Sequence, residues 1–265
     1  MARAAESGNF SVAVIISREE LSAAAKFKGL APRLAELDYL QDMALISIYR
    51  EFGNCLAFKG GTCLYKVYQL NRFSEDLDFT AGKGFKLKGF FERLPYFFNL
   101  LDIKSTVNVQ RFENAMNVYL EVYGPLYDGG KETRATLIFN VSLRERILLP
   151  IERYSYKPIY KEIRPFDLFV MNEKEILAEK VRAIYARNKA RDVYDLWYLL
   201  KRRGLSFDAG LVNKKLSYGR LKFEKSGFLA EVDEKEASWK KDLAALIAGE
   251  LPSFARVKKE IGECI

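Results

Sequence analysis

The chain has no histidine in 265 residues. That excludes Ser-His-Asp and Cys-His catalysis and any histidine-ligated zinc site. Cysteine is nearly as scarce: Cys55, Cys63 and Cys264 are scattered without CxxC spacing, so neither a zinc site nor a disulfide framework is indicated. Long apolar runs are missing too. The most apolar stretch near the start, Val12 to Ile16, is far too short to cross a bilayer. It also lacks the pattern of a secretory leader, so no membrane association and a cytoplasmic location are the expectation. No internal repeat or low-complexity segment breaks the chain. Chemistry, if there is any, must rest on carboxylates, lysine, tyrosine or bound cations.

What is present is ordinary for a globular protein: 49% hydrophobic and 29% charged residues, with a formal net charge of +8. The charge is uneven. Residues 201–225 hold eight Lys/Arg against two Asp/Glu. Such an excess suits a polyanion such as RNA or a nucleoside triphosphate, or else a solvated basic helix face.

Helix signals open the chain. Ser17 and Glu20 have capping-box spacing and Gly29 is placed to end the helix. A second helix from about Pro32 to Phe52 carries Leu34, Leu37, Leu40, Leu45 and Ile48 at helical spacing. A compact block follows: a short strand at Cys55–Phe58, a tight Lys59-Gly60-Gly61 turn, a helix at Thr62–Leu70, a polar connector at Asn71–Glu75 and a strand at Asp76–Thr80. Residues 84–101 read as an aromatic helical region interrupted near Pro95. Strand-rich runs occupy about 104–112, 116–123 and 133–144, the last two separated by Asp128-Gly129-Gly130. From Asn172 the pattern turns helical, with one helix to about Arg187 and another from Ala190 to Gly204. Two domains are expected, an α/β domain over 1–165 with N-terminal helices and a mainly helical one over 166–265.

The alternation of a strand points Asp76 and Asp78 to one face and Leu77 and Phe79 to the other. Two carboxylates so close repel each other, and a divalent cation between them makes such a site tolerable. Mg²⁺ or Mn²⁺ with substrate phosphates fits this donor set. Gly60 and Gly61 allow close backbone approach to a phosphate, and Thr62 opens a helix whose amides favour an anion. Lys59, Lys66, Arg72 and Ser74 add cations and a hydroxyl for phosphate oxygens. Singly each piece is weak, since a glycine pair is usually a turn and a lone DxD often a solvated edge; their order is what carries meaning.

The stretch Phe58-Lys59-Gly60-Gly61-Thr62, with Leu64-Tyr65-Lys66 and Arg72-Phe73-Ser74-Glu75-Asp76-Leu77-Asp78-Phe79, resembles the core signature of the AbiEii/AbiGii toxin family. These are nucleotidyltransferase-like proteins of abortive-infection and toxin–antitoxin systems, related in fold to polymerase-β-type enzymes. Tyr39-Leu40-Gln41-Asp42 upstream is similar as well. So are Glu179-Lys180-Val181-Arg182-Ala183, Arg187 and Arg191-Asp192-Val193-Tyr194-Asp195-Leu196 downstream, and the likeness spans roughly residues 17–203. It implies an α+β fold, a nucleotidyltransferase-like mixed sheet with flanking helices plus a helical C-terminal lobe. It implies an NTP substrate, a tRNA 3′ end as the RNA acceptor and a cognate antitoxin partner. By motif, Asp76 and Asp78 would ligate the metal, Lys180 would contact the triphosphate and Asp192 would be a further active-site residue. One position departs from the polymerase-β pattern. Asn140, on the polar face with Ser142 and Arg144, stands where a third carboxylate is expected; either Asp192 supplies the base or the attacking group needs little deprotonation. Two other readings stay open: a catalytically weak nucleotide- or RNA-binding regulator on the same scaffold, and a transferase acting on a protein hydroxyl.

Overall fold

A computed structural model describes residues 15–82, 84–85 and 91–265. The start of the apolar run at Val12 and most of the 84–90 stretch lie outside the described residues. Helix α1 (Arg18–Lys28) begins with the Ser17/Glu20 capping box and ends at Gly29, whose φ of 64° is left-handed. Helix α2 (Pro32–Phe52) starts with proline in its first turn, where the missing N–H costs nothing.

The sheet has seven strands: β1 (Leu56–Lys59), β2 (Leu77–Ala81), β3 (Ser105–Arg111), β4 (Ala115–Val122), β5 (Ala135–Ser142), β6 (Glu152–Tyr156) and β7 (Phe166–Val170). Their spatial order is β3-β4-β5-β2-β1-β7-β6. The sheet is mixed: β2 runs parallel to β5 and antiparallel to β1, and β1 runs parallel to β7. Helices α3 (Gly60–Lys66) and α4 (Leu94–Asn99) complete this part. Sequence alternation missed β6 and β7. Strand β7 lies beyond residue 165 yet pairs with β1, so the sheet continues past the expected 165/166 division and the helical lobe starts near Glu173.

The central strands β2, β4 and β5 bury one face. Leu77, Phe79, Val118, Leu120, Leu137, Phe139 and Val141 have at most 1% exposure, and Phe58 packs its ring 5.4 Å from that of Phe79. The opposite face carries polar residues in register: Lys59 opposite Asp78, Asp78 opposite Asn140, Asn140 opposite Asn117. Directly paired residues project to the same side, so the pairing lays one polar row across four strands.

The C-terminal lobe contains α5 (Glu173–Ala186), α6 (Ala190–Trp197), α7 (Ala209–Leu216), α8 (Lys225–Asp233), α9 (Trp239–Leu243) and α10 (Phe254–Cys264). The helix expected to run unbroken from Ala190 to Gly204 instead widens into a π-helical turn at Tyr198–Arg202. This lobe is stapled to the connector before β2. Phe73 donates its amide to the Leu246 carbonyl at 2.7 Å, and Ala248 donates to that of Asn71 at 3.0 Å. Tyr194 donates its hydroxyl to Asn71 Oδ1 at 2.7 Å. From the other side Gln41 on α2 donates to the carbonyls of Ser74 and Glu75 at 3.0 and 2.8 Å. The loop that delivers Asp76 to the sheet is thereby held between both lobes.

Candidate active site

Asp76 and Asp78 lie at the start of β2, both partly exposed, and neither forms a salt bridge with any described residue. Burial, followed by the charge of Asp78, pushes the Asp76 carboxyl up to about 6. Asp78 accepts a hydrogen bond from the side-chain amide of Asn140 at 3.0 Å. Asn140 therefore occupies the strand position beside Asp78 where a third acid was sought, and it donates there. Among the described residues no cluster of three or more acidic or cysteine ligands assembles. Two carboxylates remain, a donor set that suits a hard divalent cation completed by water and phosphate oxygens.

The glycine pair serves these carboxylates directly. Gly60 has φ of +74°, and a Cβ there would sit 2.3 Å from Asp78 Oδ2. At Gly61 a Cβ would meet Ser74 Oγ at 2.6 Å and the Arg72 guanidinium at 2.7 Å. The turn thus makes room for the protein's own side chains, and the space expected for a phosphate is filled. Thr62 is fully buried and donates its hydroxyl to the Asp76 carbonyl. It fixes the backbone of the carboxylate strand, and Ser74 is buried against Gly61.

Most of the cations expected at the phosphates are elsewhere engaged. Lys66 spends all three ammonium protons on Asp38 Oδ1 (2.7 Å), Asp42 Oδ1 (2.7 Å) and the Asp38 carbonyl (3.2 Å), inside the core. Arg72 forms a bidentate pair with Asp195, both contacts at 2.6 Å, and donates to the Phe73 carbonyl. Lys59 lies between Glu145 and Glu179, at 2.9 Å from each. Lys180 is buried between Asp192 at 2.9 Å and Asp195 at 2.6 Å. Burial alone would raise the Asp192 carboxyl, but Lys180 and Arg187 outweigh it and hold it far below the ordinary carboxylate range. A carboxylate so firmly ionised, bound by two cations, is a weak proton acceptor.

These pairs form a continuous seam between the lobes. Arg182, Glu145, Lys59, Glu179, Lys215 and Glu175 alternate in sign, each bound to the next. Glu175, in the first turn of α5, accepts the amides of Leu148 and Leu149. Asn172 caps α5 unaided by it, through the Lys174 amide at 2.9 Å.

Among the described residues, the cations whose charge reaches the carboxylates are Arg191 and Arg187. Both act electrostatically on Asp76, and Arg187 also feels Asp78. Arg187 donates to Asp192 through Nε at 2.8 Å and a terminal nitrogen at 3.0 Å, while its side chain remains 59% exposed. Lys180 and Asp192 are thus joined to the site through Arg187, which they hold in place. The sequence offered a signal for these arginines in the run Arg187-Asn188-Lys189-Ala190-Arg191 between two helices, a place where side chains project from helix ends.

The basic stretch 201–225 is less basic in space than in sequence. Lys215 is fully buried in the seam, Arg203 pairs with Glu173, Lys201 with Glu263, and Arg202 lies over the Trp197 ring.

A mixed sheet bearing paired carboxylates on a central strand, closed by a helical lobe, is the architecture of nucleotidyltransferases. It is similar to MenT4, a nucleotidyltransferase toxin from Mycobacterium tuberculosis, with a TM-score of 0.63 and 22% identity over 94% of this chain and 88% of that one. It is also similar to JHP933 from Helicobacter pylori, with a TM-score of 0.57 and 20% identity over 89% and 91% of the two chains. At these identities the likeness shows the fold. The family is settled by sequence: residues 46–259 match the model of the nucleotidyl transferase AbiEii toxin, type IV toxin–antitoxin system, and the chain belongs to that family. Comparison with curated proteins gave no match. No helix among the described residues is long and apolar enough to cross a membrane.

Proposed function

We propose that this toxin-family nucleotidyltransferase transfers a nucleotidyl group from an NTP to an RNA hydroxyl, with Asp76 and Asp78 as ligands for Mg²⁺ or Mn²⁺. The observation that carries the reading is a pair of adjacent carboxylates to which no cation among the described residues is bound, within the electrostatic reach of Arg187 and Arg191. A bound divalent ion would neutralise the pair and polarise the phosphate that is attacked. Arg187 holds the triphosphate oxygens in this reading, in place of Lys66, Arg72 and Lys180, whose protons are already committed. Gly60 and Thr62 keep Asp78 and Asp76 in position. Asn140 orients Asp78 and takes no proton, so the acceptor hydroxyl loses its proton to solvent or to a phosphate oxygen as pyrophosphate leaves.

The amide at Asn140 also favours a second reading, a nucleotide- or RNA-binding regulator with weak turnover. Incubation with Mg²⁺ or Mn²⁺, each α-labelled NTP and total RNA or protein extract separates the two. The expected result is metal-dependent label on RNA, lost in Asp76→Ala and Asp78→Ala. Label on protein moves the acceptor to a protein hydroxyl, and nucleotide binding without label from any of the NTPs establishes the regulator. A cognate antitoxin is the partner that family membership suggests, and suppression of transfer by the product of an adjacent gene tests it.

A further inference from the structure

A cavity of about 250 Å³ reaches Glu75, the residue before Asp76, and is lined further by Lys189, Arg191, Lys241, Asp242, Ala245 and Leu246. We propose that it seats an internucleotide phosphate of the acceptor strand, next to the nucleotide whose hydroxyl is attacked. The inference rests on the RNA acceptor proposed above and assigns that strand a binding site.

Three features point to a phosphate. Lys189 and Lys241 are exposed, and neither forms a salt bridge with any described residue. Among the described residues Arg191 pairs with Glu75, at 3.4 Å, and that carboxylate is 49% exposed. So long and wet a pair is weak, and a phosphate displaces it readily. The second carboxylate of the cavity, Asp242, is already engaged, accepting the Ala190 amide at the start of α6 at 3.1 Å.

The cavity is also fixed relative to the reacting centre. Its floor residue Leu246 accepts the Phe73 amide at 2.7 Å, three residues before Asp76 in the chain. Its Arg191 acts electrostatically on Asp76. A ligand held there keeps a set distance from the carboxylates. The NTP phosphates must reach both carboxylates, whereas neither Asp76 nor Asp78 lines this cavity. The apolar floor of Ala245 and Leu246 suits the sugar of a strand better than a bare triphosphate.

Lys189→Glu combined with Lys241→Glu tests the assignment, since both side chains are exposed and the change leaves the fold intact, with thermal unfolding as the control. The probes are a short fluorescein-labelled single-stranded RNA with a free 3′ hydroxyl and a fluorescent NTP analogue with Mn²⁺. RNA affinity is expected to fall about tenfold or more, with the slope of log Kd against log salt reduced by about 0.7 for each phosphate that the protein no longer neutralises, while affinity for the analogue stays within about twofold. Unchanged RNA affinity in the variant overturns the proposal. So does an equal drop for the NTP analogue, which assigns the cavity to the triphosphate. If the wild type binds no RNA, the RNA acceptor falls and this site with it. A wild type that binds RNA beside an unaffected variant sinks the cavity alone.

Discussion

Two of the close aspartate pairs among the described residues have surroundings that differ in kind. Asp38 and Asp42, one turn apart on α2, are fully buried and completed from within. Lys66 lies 2.7 Å from each, Tyr156 donates its hydroxyl to Asp42 at 3.0 Å, and Tyr160 donates to Asp38 at 2.6 Å. Asp76 and Asp78 are partly exposed and receive one side-chain amide, with no cation among the described residues bound to either. The first pair is a finished structural unit. The second lacks its cation, and the missing charge is the strongest reason to place a metal there.

Removing the internal cation should break the finished pair. Lys66→Met leaves the buried Asp42 without a cation and Asp38 with Lys28 alone, at 2.5 Å, at an expected cost of about 3–5 kcal/mol read from urea denaturation. Transfer per folded molecule should stay near wild type, because Lys66 makes no contact with Asp76 or Asp78. Loss of transfer at unchanged stability would return Lys66 to the phosphate site that its spacing from the glycine turn suggested.

The misplacement of Lys66 shows what the sequence could and could not carry. The strand order near Asp76 and Asp78, the capping box at Ser17 and the polar face holding Asn140 depend on short-range alternation and spacing, and they were legible. Strands β6 and β7 were not, since Glu152–Tyr156 alternates poorly, with four exposed residues in five, and Phe166–Val170 pairs with a strand more than a hundred residues earlier. The fates of Lys59, Lys66, Arg72 and Lys180 were equally hidden. A lysine near a glycine turn looks the same in sequence whether its partner is a phosphate or an aspartate brought in by a distant helix. Arg187 and Arg191 were visible as residues, but the reach of their charge to Asp76 depends on how the two lobes close.

The open pair gives a smaller effect with a sign fixed by linkage. Asp76 titrates near 6 in the folded chain against an ordinary value of 3.8. A raised acid pKa means that ionisation costs folding free energy. The cost is absent below about 3.8, grows as pH rises and is complete above about 6. Asp76→Asn should therefore stabilise the metal-free protein at pH 8, by about 1–2 kcal/mol once partial exposure is discounted, and the gain should vanish toward pH 4. Saturating Mn²⁺ should raise the Tm of the wild type at pH 8 and barely move that of Asp76→Asn. Equal metal shifts in both proteins would place the cation elsewhere.

The weakest effect belongs to the exposed ion pairs that made residues 201–225 look like a binding patch. Arg203 and Glu173 are 3.0 Å apart, with side chains 36% and 21% exposed. Water screens such a pair and the long arginine side chain loses rotamer freedom by making it, so Arg203→Ala should change stability by no more than about 0.5 kcal/mol. If the stretch is only a solvated surface, the same variant should also bind the single-stranded RNA probe with wild-type affinity and salt dependence. A drop in affinity comparable to that expected for the Lys189/Lys241 double variant would extend the RNA path from the cavity at Glu75 onto the helical lobe around Arg203. It would also show that an arginine paired in the free protein exchanges its carboxylate for a phosphate when the strand arrives.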